Sequence, residues 1–223
     1  MDNISRTSEA PLISIIIPAY NEEGNLPELR KRLLTALEPA KNYHFEFLII
    51  DNCSEDATGA VAHSFVAEDE RWKYIRFSRN FGVEGSMNAG LHFASGDALI
   101  FLFSDLQEPP ESIPEMLEKW SEGYDVVYGV LRKRHDYHWI KSVGAWVAYR
   151  LIHFLSDIKI PPNATDYRLL SRPVIEALKR TGEQNRYMRG LVFWTGFKHT
   201  TFQYDRSPRL HGKTTANIVF SIG

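Results

Sequence analysis

The run ALIFLFSDLQEPPES, residues 98–112, decides how this chain is read. Ala98 to Phe103 are all apolar, which suits a short strand buried on both faces of a sheet. The run then ends on Ser104 and Asp105, followed by Gln107, Glu108, Pro109 and Pro110. A proline pair has no backbone donors for a ladder, so the strand cannot continue and a helix is expected to begin near Glu111 and Ser112. A core strand is thus predicted to present a carboxylate and an amide at its carboxyl end.

Working outward, similar apolar runs recur, and strands are predicted at residues 13–17, 45–50, 74–77, 98–103 and 126–130. Between them lie segments of helical period. Leu26, Leu29, Leu33, Leu34 and Leu37 form one stripe; Val61, Ala62, Phe65 and Val66 a second. Met87, Leu91 and Ala94 form a third, and Ile113, Met116, Leu117 and Trp120 a fourth. Strand–helix alternation of this kind predicts an α/β fold with a Rossmann-like, mostly parallel central sheet flanked by helices. Beyond Arg132 the alternation fails. An aromatic helix around Trp139–Leu155, a loop with Pro161 and Pro162, a helix near residues 173–180 and a basic finish are read there as a C-terminal helical and basic elaboration of the same domain.

Composition bounds the function. With 223 residues, 43% hydrophobic and 13% aromatic, the chain can bury a substantial core. A formal charge of −2 argues against a nucleic acid partner. Its single cysteine, Cys53, allows neither an internal disulfide nor a thiolate zinc site, which fits a reducing cytoplasm. The first residues lack the pattern of a secretory signal, and no window reaches the ~20 apolar residues of a membrane span.

In open parallel sheets ligands bind beyond the carboxyl ends of the strands. Those ends read Pro18-Ala19-Tyr20-Asn21-Glu22, Asp51-Asn52, Ser78-Arg79-Asn80, Ser104-Asp105 and Arg132-Lys133-Arg134. Acids at two ends and basic groups at two others predict a pocket for an anionic ligand with a metal. The first turn, PAYNEEGN, has no G-x-G-x-x-G, and no Walker lysine loop occurs, which disfavours nicotinamide and P-loop sites. An aromatic ring, an amide and carboxylates can instead pack on a base and bond its edge and ribose hydroxyls. Asp105 and Gln107, two apart, can offer oxygen ligands to one hard cation, although D-x-Q also arises by chance.

Taken together, ISIIIPAYNEEGNL, LIIDNCSEDAT, FSRNFGVEGSMNAGL, DLQEPPE, ATDYRLLSR and NRYMRGL resemble the family 2 glycosyltransferases of the GT-A fold. Within it they are most similar to the polyprenyl-phosphate glycosyltransferases, the group of dolichol-phosphate mannose synthase and the GtrB-type enzymes. The resemblance implies inverting transfer of one sugar from a nucleotide-diphosphate sugar, UDP-linked by preference and GDP-linked as the alternative, to a polyisoprenyl phosphate. It assigns Pro18, Tyr20, Asn21, Glu22, Asp51, Asn52 and Ser104 to the nucleotide, and Asp105 and Gln107 to Mg²⁺ or Mn²⁺. Asp166 takes the place of the catalytic acid, together with Asp105. Arg132, Arg134, Arg168, Arg206, Arg209 and Lys213 are assigned to the acceptor phosphate and the diphosphate. The acceptor phosphate is already an anion, so Asp166 is expected to position more than to deprotonate.

The resemblance implies a glycosyltransferase domain over residues 11–213, a flexible tail over 1–10, and a tail over 214–223 at which a membrane anchor would begin. It also implies action at the cytoplasmic face of the membrane, with a homo-oligomer left open. The helix around Trp139–Leu155, carrying Lys141 and Arg150, suits either a membrane surface or packing on its own sheet. Two positions depart from the family pattern. Phe103 stands where D-x-D-x-Q has its first acid. Asp51-Asn52-Cys53 stands where two acids and a glycine are usual, which puts a poor turn residue at 53. The alternatives are a glycan or small-molecule acceptor, or a nucleotide-sugar-binding module impaired in catalysis.

Overall fold

Strands β1 (Leu12–Ala19) and β2 (His44–Asp51) are buried along almost their whole length. Such strands require cover on both faces, which a parallel sheet between two helical layers provides. The computed structural model describes residues 10–132, 163–181 and 188–208, the side chain of Arg189 excepted. Among these it has one seven-stranded sheet, ordered β3 (Trp72–Arg76), β2, β1, β4 (Ala98–Phe101), β6 (Ala164–Ser171), β5 (Val126–Leu131) and β7 (His199–Tyr204). Only β6 runs against its neighbours, antiparallel to both β4 and β5. The predicted α/β class and mostly parallel sheet are therefore present.

Helices α1 (Leu26–Leu37), α2 (Thr58–Glu68) and α4 (Ile113–Ser121) cover one face. Helices α3 (Gly82–Phe93), α5 (Arg172–Arg180) and α6 (Met188–Trp194) cover the other. The side-chain period of two splits β1 between the layers: Ile13, Ile15 and Ile17 join the first core and Ile16 the second. Fully burying these four side chains contributes roughly 1.5–3 kcal/mol each, largely offset by chain ordering. Leu26, Leu29, Leu33 and Leu37 are buried as the helical stripe predicts. In α2 only part of the predicted stripe is inside: Ala62 and Phe65 are buried, but Val66 is exposed. A β-carbon on Gly90 would collide with Ile16, so that glycine sets how closely α3 lies on β1.

Two strands were not expected. β6 escapes the apolar-run criterion because Asp166 and Arg168 interrupt it, and β7, HTTFQY, buries only Phe202 and Tyr204. β4 is also shorter than predicted, ending at Phe101, although Leu102 N–H still donates to the Ile16 carbonyl at 2.9 Å. The prolines act as anticipated, starting a 3₁₀ turn at Pro110–Ser112 that leads into α4.

At the N-terminal edge of the sheet, the buried carboxylate of Glu46 binds three elements together. Its Oε1 accepts from Ser14 Oγ at 2.5 Å and from Ser95 N–H at 2.7 Å, and its Oε2 from Lys73 Nζ at 2.6 Å. Ser14 Oγ in turn accepts from Gly96 N–H at 2.8 Å, which fixes the entry to β4. Burial alone would raise the Glu46 pKa, but the bonds from Lys73, Ser14 and Ser95 hold it below the usual carboxylate range. Among the described residues no helix is long and apolar enough to cross a membrane. The aromatic segment around Trp139–Leu155 lies outside them.

Candidate active site

The carboxyl ends of β1, β2 and β4 meet at one edge, and the backbone there is bent. Asn21, Cys53 and Leu106, each just beyond one of these strands, have positive φ of 56°, 67° and 59°. Asparagine tolerates this conformation, whereas cysteine and leucine are strained in it, as residues at binding edges often are. Cys53 thus adopts the tight turn for which glycine was expected.

Asp51 closes β2 with no solvent exposure. Its Oδ1 accepts from Ser54 N–H at 2.8 Å and its Oδ2 from Tyr74 Oη at 2.6 Å, with Arg76 Nη1 at 3.5 Å. Burial and the Asp51 bond push the Tyr74 hydroxyl up to about 12, so it stays a donor at neutral pH. Asn52 is tied to the third strand end: its Nδ2 donates to Asn80 Oδ1 and its Oδ1 accepts from Phe81 N–H, both at 2.8 Å. Asn21 clasps the neighbouring loop, its N–H donating to Ser54 Oγ at 3.0 Å and its Oδ1 accepting from Glu55 N–H at 2.8 Å. Glu22 N–H donates to Thr58 Oγ1 at 2.7 Å, while Tyr20 is half-buried beside them. Of the residues assigned to the nucleotide, Asn21 and Asn52 therefore also hold the cradle together.

The loop after β4 is fastened to β1 through Ser104 Oγ, which donates to the Pro18 carbonyl at 2.8 Å. Asp105 is 8% exposed, and its Oδ1 accepts from Gln107 N–H at 3.2 Å, so the two candidate ligands share one turn. Among the described residues no group of three or more acids, histidines or cysteines could hold a metal. The donor set fits a hard divalent cation that takes two protein oxygens and completes its shell with phosphate oxygens and water. Glu108, next in the chain, is buried; its carboxyl is pushed up to about 7 by burial and then by the charge of Asp105.

Asp166 reaches this edge from β6. The ladder with β4 ends on the pair Phe101–Arg168, and because β6 runs antiparallel, Asp166, two residues before Arg168, lies on the side of the carboxyl end of β4, from which Ser104 and Asp105 follow. Arg168 is fully buried; its Nη2 lies 3.1 Å from Asp166 Oδ1 and its guanidinium 5.9 Å from the centre of the Phe101 ring. That placement orients Asp166, whereas the expectation for Arg168 was a phosphate contact. Arg132 pairs with Asp205 at 3.2 Å, both well exposed, and Arg206 lies 3.6 Å from Glu108. Arg134, Arg209 and Lys213 lie outside the described residues.

Tyr74, Arg76 and Glu108 were not anticipated as parts of the site, whereas Asn80 stands at one of the strand ends expected to face a ligand. The first two alternate along β3, a period of two that could have pointed both at the Asp51 side. The contact of Glu108 with Arg206 spans 98 positions and has no local signal in the sequence.

Comparison with known proteins places this geometry. Glycosyl transferase family 2 matches residues 14–179. An uncharacterized glycosyltransferase of Synechocystis is 42% identical over 205 residues, 92% of this chain and 64% of the relative. A prophage bactoprenol glucosyl transferase homolog of Escherichia coli is 37% identical over 92% of this chain and 67% of its own length. The chain thus spans roughly two thirds of the length of these relatives. In fold it is similar to the mannosyltransferase PcManGT of Pyrobaculum calidifontis, solved with GDP-Man and Mn²⁺, with a TM-score of 0.61 at 16% identity over 88% of this chain and 56% of that one. With a mostly parallel sheet of GT-A type, a site edge built from β1, β2, β4 and β6, and a match covering most of its length, the chain belongs to glycosyl transferase family 2.

Proposed function

We propose that this protein transfers a single sugar from a nucleotide-diphosphate sugar to a polyisoprenyl phosphate, with inversion at the anomeric carbon, at the cytoplasmic face of a membrane to which it is peripheral or anchored. The observation that carries the reading is the convergence of Asp51, the Asp105–Gln107 turn and Asp166 on one sheet edge. Asp51 with Tyr74 and Arg76 would hold the base and ribose, the donor being a UDP-sugar by preference and a GDP-sugar otherwise. Asp105 and Gln107 would hold Mg²⁺ or Mn²⁺, which when bound stabilises the charge of the departing diphosphate. Asp166, steadied by Arg168, would orient the lipid phosphate for in-line attack. Relatives named as bactoprenol glucosyl transferases support a lipid-phosphate acceptor, and the mannosyltransferase solved with GDP-Man and Mn²⁺ supports a divalent cation.

The test is transfer of label from UDP-, GDP-, CDP- and dTDP-sugars to dispersed undecaprenyl or dolichyl phosphate, with Mn²⁺ or with EDTA. An organic-extractable product from one donor, abolished by EDTA, is expected. A water-soluble product would replace the lipid by a glycan or small-molecule acceptor, and nucleotide binding without product would leave a binding module.

A further inference from the structure

We propose that Glu108 is a positioning residue for the reaction, acting through Arg206, so that the loop bearing Asp105 and Gln107 and the segment after β7 form one clamp on the diphosphate. The inference rests on the reading of this edge as a nucleotide-diphosphate site. Glu108 is 3% exposed, and a carboxylate so buried requires a partner. Arg206 Nη2 lies 3.6 Å from Glu108 Oε1, and Tyr204 Oη lies 3.5 Å from the same oxygen. The residues around Arg206 are held to the loop at a second point, where Ser207 N–H donates to the Gln107 carbonyl at 3.1 Å. The segment thus crosses the turn that carries both candidate metal ligands.

Both sides of this contact are fixed from below. Tyr167 Oη donates to the Pro109 carbonyl at 2.7 Å, and Tyr204 Oη donates to Thr165 Oγ1 at 3.0 Å. The separation of Glu108 and Arg206 is therefore set by the sheet. The Arg206 side chain remains 48% exposed, and a guanidinium has five N–H donors, so anchoring one side to Glu108 leaves the others for an anion beside the loop. Arg132 differs: its partner Asp205 is itself 69% exposed, and a pair in water fixes neither side chain. Glu108 need not touch the donor; it determines where Arg206 stands when the donor arrives.

The experiment is calorimetric binding of UDP and of GDP, each with Mn²⁺, at pH 8, to the wild type, Arg206→Ala, Glu108→Gln and the double variant, with melting curves for each. Each single change is expected to weaken the bound nucleotide about tenfold, and the double change no more than about twofold beyond Arg206→Ala. A purely structural Glu108 would instead give losses that multiply, which would overturn the inference. Arg206 is half-exposed, so its variant decides the matter even where Glu108→Gln does not fold: unchanged affinity in Arg206→Ala overturns the clamp while the donor reading stands. If the wild type binds neither nucleotide, the donor reading falls and the clamp with it.

Discussion

Replacing Glu46 by glutamine is expected to destabilise the fold by about 3 kcal/mol at pH 7 while sparing the site. The carboxylate receives three donors, two of them from Ser14 and the backbone of Ser95. Hydrogen bonds to a charged group contribute about 1.5–3 kcal/mol each and are not additive. The Lys73 side chain is 50% exposed, so its share is discounted to about 0.5 kcal/mol or less. Glutamine keeps one acceptor for Ser14 and Ser95, but turns an amide N–H₂ toward the Lys73 ammonium. At about 2–4 °C per kcal/mol for a chain of this size, the melting temperature should fall by about 6–12 °C.

The pH dependence supplies the sharper check. A carboxyl held below its unfolded value adds stability above that unfolded value, and loses it as the pH falls through the folded one. Urea unfolding should therefore show the full gap between wild type and Glu46→Gln at pH 7, and a narrowing gap below about pH 4. Nucleotide affinity should not change, since Glu46 lies at the opposite edge of the sheet. A gap as wide at pH 3 as at pH 7, or Lys73→Met alone reproducing the whole loss, would refute the reasoning.

Asp166→Asn is expected to lower turnover about 100-fold or more while leaving nucleotide affinity within about threefold; equal losses in both would move Asp166 from the chemistry to binding. Asp105→Asn should raise the Mn²⁺ concentration needed for half-maximal nucleotide binding about tenfold, and an unchanged Mn²⁺ titration would remove it from the metal. Gly90→Ala should cost about 1–3 kcal/mol because its β-carbon meets Ile16. In the Ile16→Ala background the same change should cost clearly less, as denaturant unfolding would show, and equal costs would mean that α3 shifts freely.

The first half of the fold was legible because its strands are unbroken apolar runs and its polar groups follow directly on the strand ends. Pro18, Asp51, Ser104 and Asp105 could be placed from that rule alone. β6 was hidden because a charged pair sits inside it: Arg168 is a sheet residue with no exposure, a placement that hydropathy reads as a loop. The cross-links Asn52–Asn80, Asp51–Arg76 and Glu108–Arg206 were equally hidden, since each joins strand ends far apart in sequence. Their partners are chosen by sheet order, which no local pattern encodes.

The reversed direction of β6 has a consequence for how the protein is made. β3, β2, β1 and β4 are complete once residue 101 has left the ribosome with Asp51 at their edge, and Ser104 joins that edge three residues later. β5 follows in sequence, yet it does not lie beside β4; it waits for β6 to be inserted between them, and β7 then pairs on its far side. Through the synthesis of the intervening residues, β4 is therefore an open edge, with ladder groups that any extended chain could satisfy. The edge formed by β1, β2 and β4 can assemble first, and the strand that carries Asp166 then seals the open side of β4.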